Sequence, residues 1–96
     1  MLHLISESPI DYAVLARLGI DDEVVFLENA TLRLLQTGTD NHRLTQLLDS
    51  HSLYVLGDVL AVRGIAADEL VQGIRVINYA QFVALTVKHP VIQSWS

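Results

Sequence analysis

Val24-Val25-Phe26-Leu27 is an unbroken apolar run rich in β-branched residues. Such a run suits a strand buried on both faces, as in a parallel sheet sandwiched between helices. Three shorter runs share its character: Leu2-His3-Leu4-Ile5, Leu53-Tyr54-Val55-Leu56 and Ile74-Arg75-Val76-Ile77. Helical signals separate the four. Ser8 can cap a helix, Pro9 suits its first turn and Asp11 favours its positive end. Leu15 and Leu18, with Tyr12 and Val14, give that helix an apolar side, and Gly19 stops it. Asp21-Asp22-Glu23 reads as a polar turn before the decisive strand. A short helix is expected over residues 30–35, broken by Thr37-Gly38-Thr39.

Asp40 can cap a further helix with Leu44, Leu47 and Leu48 on one face. Asp58 is expected to cap a short helix ended by Gly64. Residues 66–71 fit no single element. Asn78, with Gln81 three residues on, has the pattern of a capping box, and Tyr79, Phe82, Val83 and Val87 are expected to form the buried stripe of the last helix. Pro90 ends it. Strands alternating with helices predict an α/β fold, a small doubly wound parallel sheet of four or five strands with helices on both faces. The 96 residues are read as one domain, 1–96.

Composition narrows the function. Hydrophobic residues make up 51% of the chain and mean hydropathy is +0.38, high for a small soluble domain, so a dense core combined with a partner-facing apolar surface is expected. No apolar run approaches the ~20 residues of a membrane span, and the start lacks the pattern of a secretory leader; a cytoplasmic location is expected. Six Lys and Arg stand against eleven Asp and Glu, for a net charge of −5. The basic residues are scattered, whereas a phosphate backbone is held by clustered positive charge, so direct nucleic-acid binding is not expected.

Cysteine is absent, so the chain can carry no thiolate nucleophile, persulfide or disulfide. The five glycines are isolated and form no phosphate-binding loop. No two of His3, His42, His51 and His89 have the close spacing of a zinc motif. His3 is expected as a satisfied core residue, His89 near a helix C-terminus, and His42 and His51 at the surface. The serines lack a nucleophile-elbow context. Asp21, Asp22 and Glu23 fit a solvated turn better than a cation site. No catalytic residue, cofactor or metal ligand is therefore assigned. Trp95, the one tryptophan, follows Val91 and Ile92 in an apolar tail. Either the tail folds back on its own chain, or it anchors a partner, since buried tryptophans dominate interfaces. Val91, Ile92 and Trp95 are the candidate partner interface.

The ordered set of segments resembles the TusB/DsrH family. Met1-Leu2-His3 followed by Ser8-Pro9 is similar to the family's opening. Val24 to Ala30 resembles its apolar strand and turn, and Leu53 to Leu56 followed by Leu60-Ala61-Val62-Arg63-Gly64 its third strand and the step after it. The block Tyr79-x-x-Phe82-Val83-x-Leu85-Thr86-Val87-Lys88-His89-Pro90, with Trp95, is similar to its C-terminal helix and tail. The resemblance implies a DsrEFH-like fold and a non-catalytic subunit of a sulfurtransferase complex. Its partners would be TusC- and TusD-like subunits in a heterohexamer, a dimer of trimers, relaying persulfide sulfur for 2-thiolation of the tRNA wobble uridine. The related DsrEFH complex serves sulfur oxidation instead. Two departures stand out. Some DsrH members carry a cysteine in the first helix, which residues 11–18 lack. The family's acidic-Gly turn is Asn29-Ala30 here, and Ala30 tolerates positive φ poorly. The alternative function is a small-molecule or nucleotide-binding module at the sheet's switch-point crevice, using Asn29, Thr31 and Asp58. A free-standing enzyme has the least support.

Overall fold

The computed structural model describes residues 1–6 and 12–95. Five strands, all parallel, form one sheet in the order β4-β3-β2-β1-β5. They are β1 (Leu2–Ile5), β2 (Glu23–Phe26), β3 (Ser52–Leu56), β4 (Arg75–Ile77) and β5 (Ile92–Trp95). The helices are α1 (Tyr12–Leu15), α2 (Asn41–Leu48), α3 (Gly57–Val62) and α4 (Tyr79–Lys88), with 3-10 segments at Glu28–Leu34 and Ala67–Glu69. The expected doubly wound α/β sheet is therefore present, with five strands. Among the described residues no helix is long and apolar enough to cross a membrane.

The decisive strand lies at the centre. In register, Val24 sits between His3 and Leu53, and Phe26 between Ile5 and Val55. Successive side chains of a strand point to opposite faces. Val24 and Phe26 therefore enter one core, with Leu15, Leu34, Leu44 and Leu60 of the covering segments. Val25 enters a second core with Leu2, Tyr54 and Ile77. All four β2 residues are buried, which is why the run needs no polar alternation. Full burial of one such apolar side chain is worth roughly 1.5–3 kcal/mol.

The two faces are covered unequally. α1, α2, α3 and the first 3-10 segment pack on one. Among the described residues the one helix that reaches the second core is α4, through Phe82 and Leu85, while Leu4, Leu27 and Leu56 complete it from the strands and their ends; α4 leads from β4 at one edge to β5 at the other. Here the expected stripe is corrected. Of Tyr79, Phe82, Val83 and Val87, only Phe82 packs inward, while Tyr79 and Val87 are 68% and 80% exposed. Phe82 and Leu85, three apart, form the contacting ridge, and an apolar pattern that runs around most of a helix does not say which side meets the sheet.

Other boundaries move. Residues 74–77 lose Ile74 from the strand, which starts at Arg75. Asp58 does not cap α3: the helix begins at Gly57, Leu56 holds the cap position, and Asp58 lies in the first turn. Asp40 occupies the α2 cap position but makes no side-chain capping bond. The first helix ends at Leu15 rather than Leu18. The roles assigned to Ser8, Pro9 and Asp11, and the side chains of Tyr12 and Val14, lie outside the described residues. The capping box forms as expected: Gln81 N–H donates to Asn78 Oδ1 and Asn78 N–H to Gln81 Oε1. Gly64, at φ +68°, ends α3 in the left-handed conformation that glycine adopts at no steric cost. In the turn after β2 the left-handed residue is Glu28, at φ 48°, while Ala30 is spared that conformation.

Candidate partner interface

The outer side of α4 is built from Tyr79, Ala80, Val83, Ala84 and Val87, all exposed. No charged side chain interrupts it, since the one charged residue of the helix is Lys88, whose ammonium turns to Glu23. Beyond Pro90, Val91 and Ile92 are 51% and 43% exposed. Ile92 pairs with Leu2, whose side chain is in the α4-side core, so Ile92 faces the same side of the sheet as α4. The apolar surface of α4 is thus continued by the start of β5.

Trp95 goes the other way. It pairs with Ile5 and packs, partly buried, against the core on the opposite face. Its indole N–H donates to Nδ1 of His3 at 3.1 Å, and the two rings stack at 6.3 Å with planes 13° apart. The three tail residues are therefore divided: Ile92 is open to solvent on the α4 side, Val91 is exposed just ahead of the strand, and Trp95 is engaged by its own chain.

Two adjacent acids support this arrangement. Asp22 Oδ2 accepts from His3 Nε2 and from the Gly19 N–H, both at 3.0 Å, and Oδ1 from the N-terminal ammonium at 2.9 Å. Burial pushes its carboxyl up, but these donors and the ammonium charge outweigh burial and hold it well below the usual carboxylate range. Glu23, expected in a polar turn, is instead the first residue of β2 and is buried. Its Oε2 accepts from Tyr54 Oη at 2.6 Å, and its Oε1 from Lys88 Nζ and His89 Nε2, both at 2.7 Å. Burial again pushes the carboxyl up; the bonds from Lys88, Tyr54 and His89 outweigh it and bring it down to about 2. Beside Glu23, burial and that same bond push the Tyr54 hydroxyl up.

His3 is a satisfied core residue, as expected. His89 is buried against Glu23, and its backbone N–H closes the last turn of α4 on Leu85. His42 is exposed, as expected, but His51 is half-buried, donating from Nε2 to the Gly19 carbonyl and accepting at Nδ1 from Ser50. Asp22, Glu23, His51, Lys88 and His89 line a cleft of about 730 Å³ at the amino ends of the strands. The carboxylates of Asp22 and Glu23 are filled by donors from this chain, so that pair holds structure together rather than offering a base. Among the described residues no three His, Asp or Glu side chains converge as a metal site would need. Asn29, Thr31 and Asp58 follow β2 and β3 rather than β1, beside which the winding reverses. Thr31 is buried and donates to the Glu28 carbonyl, and Asn29 accepts from Arg63.

A protein-family model described as DsrH like protein matches residues 7–92. The chain belongs to the TusB/DsrH family. It is similar to Protein TusB of Buchnera aphidicola subsp. Baizongia pistaciae (33% identity) and of Pectobacterium parmentieri (35%), with 99% of this chain and 100% of each relative covered. Protein TusB of Escherichia coli K12 is 33% identical over the same shares. Among solved structures, a protein of unknown function from Methanobacterium thermoautotrophicum, MTH1491, superposes with a TM-score of 0.79 at 15% identity, covering 98% of this chain and 96% of that one, which shows a shared fold. This TusB/DsrH member thus combines the family's sheet with an α4 surface that its own chain leaves uncovered. The clasps on Asp22 and Glu23 are not legible in the sequence because every partner except the Gly19 N–H lies 19 to 66 residues away. One signal was present: His89 and Lys88 directly precede Pro90, where the chain must leave the helix and needs anchoring.

Proposed function

We propose that this TusB/DsrH member is a non-catalytic subunit of a persulfide-relay complex that 2-thiolates the tRNA wobble uridine. The observation that carries the proposal is the uncharged outer face of α4, continued by Ile92, on a chain that has no cysteine. A relay step needs a thiolate; a chain without one contributes through contact, and an uncovered apolar face is the means of contact. The proposed partners are TusC- and TusD-like subunits in the cytoplasm, assembled as a heterohexamer, with residues 1–96 acting as one unit. Sulfur oxidation is the other pathway open to such a subunit.

Co-expression with TusC- and TusD-like subunits from the same genome should give one stable particle by size exclusion and light scattering. Deleting the gene should lower 2-thiouridine in tRNA hydrolysates. A chain that stays monomeric beside those partners overturns the assembly; intact thiolation after deletion overturns the pathway.

A further inference from the structure

We infer that Asp22 and Glu23 form a two-point latch that fastens the C-terminal strand to the sheet, so that β5 docks and undocks as a unit without opening the rest of the core. The inference does not depend on the proposed function. β5 has little apolar burial of its own: Ile92, Gln93 and Ser94 are exposed, and only Trp95 reaches the core. Beyond its backbone pairing with β1, what fastens it is a set of polar side-chain bonds at its two ends. Ahead of it, Lys88 and His89 bind the carboxylate of Glu23. At its far end, Trp95 binds His3, whose other ring nitrogen donates to Asp22. The two acids are neighbours in sequence, one in β2 and one just before it, so a single segment holds both ends.

The charged and titratable groups facing Glu23, among the described residues, are Tyr54 from β3 and Lys88 and His89 from the end of α4. Those facing Asp22 are His3 from β1 and the N-terminal ammonium. A strand held by end clasps rather than by a buried row is the kind of segment that opens locally, at a lower free energy than the central strands. Gln93 strengthens the view that this edge is managed: its side-chain amide donates to the Ser94 carbonyl at 3.2 Å, and Ser94 alternates with the residues whose carbonyls face β1.

Amide hydrogen exchange by NMR on the full chain tests the latch. The Leu2 and Ser6 N–H groups donate to the Val91 and Trp95 carbonyls and report on β5, whereas the Leu27 N–H, donating to Ile5, reports on the β1 to β2 side. Leu2 and Ser6 should exchange through a local opening faster than Leu27. Glu23→Gln and Trp95→Phe should each speed Leu2 and Ser6 about tenfold, the loss expected for one charge-assisted or buried bond, with Leu27 little changed. If Glu23→Gln does not fold, Lys88→Met removes one donor from an exposed side chain and should give a smaller acceleration with the same selectivity. Equal exchange of all three amides, or equal acceleration by the variants, would mean that β5 opens only with the whole sheet and would overturn the latch.

Discussion

Trp95 Nε1 donates to His3 Nδ1, a bond that spans 92 positions of the chain and joins the last described strand to the first. Because Nδ1 accepts, the ring proton sits on Nε2, where it donates to Asp22. The indole therefore fixes the tautomer of the histidine that the acid needs.

The first prediction follows from that bond. Trp95→Phe keeps the stacked ring and removes the donor, so His3 should lose its preference for the Nε2–H tautomer. Long-range proton–nitrogen correlations on His3 read the change directly. Trp95→Ala also removes partly buried area, and should cost the isolated chain roughly 2 kcal/mol, below the loss for a fully buried tryptophan. For a domain of this length that is a fall of about 10 °C in Tm. An unchanged Tm with weakened assembly would move Trp95 from its own core to a partner.

Glu23 sets the pH dependence of stability. Its carboxyl is lowered from an ordinary 4.5 to about 2 in the folded chain. A lowered carboxyl contributes stability fully above its unfolded value and loses it as pH falls toward its folded value. The contribution should thus be complete above about pH 5 and fade down to about pH 2. Asp22 acts in the same direction, its contribution lost at lower pH still. Urea unfolding from pH 6 down to pH 2 should show this slope, and Glu23→Gln should flatten it while lowering stability at neutral pH. An equally steep acid limb in the variant would assign the slope to other carboxylates.

Asn78 carries the clearest local energy. Its side chain accepts from the Gln81 N–H while Gln81 returns a bond to the Asn78 N–H. Asn78→Ala breaks the box and should cost about 1 kcal/mol. Because α4 leads into His89 and β5, circular dichroism melts should show the loss in the whole transition rather than in a separate helical phase. A loss within error would mean that water replaces the cap.

How far the sequence was legible depends on whether the deciding contacts are local. Val24 to Phe26 declares a buried central strand because every residue in it is apolar, and the capping box is visible because its partners stand three apart. β5 does not declare itself as a strand: Ile92-Gln93-Ser94-Trp95 carries two polar residues, and its place is set by pairing with β1, far away in sequence. The buried side of α4 is not legible in the sequence because Tyr79, Val83 and Val87 are as apolar as Phe82 and Leu85. Glu23 resembled a turn residue because its three donors come from Tyr54, Lys88 and His89, and no local pattern announces them. Asp58 resembled a cap because Leu56, which holds the cap position, offers no side-chain oxygen.

The last prediction separates folding from assembly. Val87 is 80% exposed on α4, so Val87→Lys removes little buried area and leaves the isolated chain within about 0.5 kcal/mol of its parent. The same change places a charge in the middle of the proposed contact, where an unpaired buried charge is strongly unfavourable. Association with the TusC- and TusD-like subunits should weaken at least tenfold, measured by titration calorimetry or by loss of the assembled peak in size exclusion, while Tm and the circular dichroism spectrum hold. Leu32, 46% exposed in the 3-10 segment on the opposite side of the sheet, provides the control. Leu32→Lys should leave assembly intact if the α4 face is the contact. Were Leu32→Lys to block assembly and Val87→Lys to spare it, the partner would sit on the helical side that covers α1 to α3.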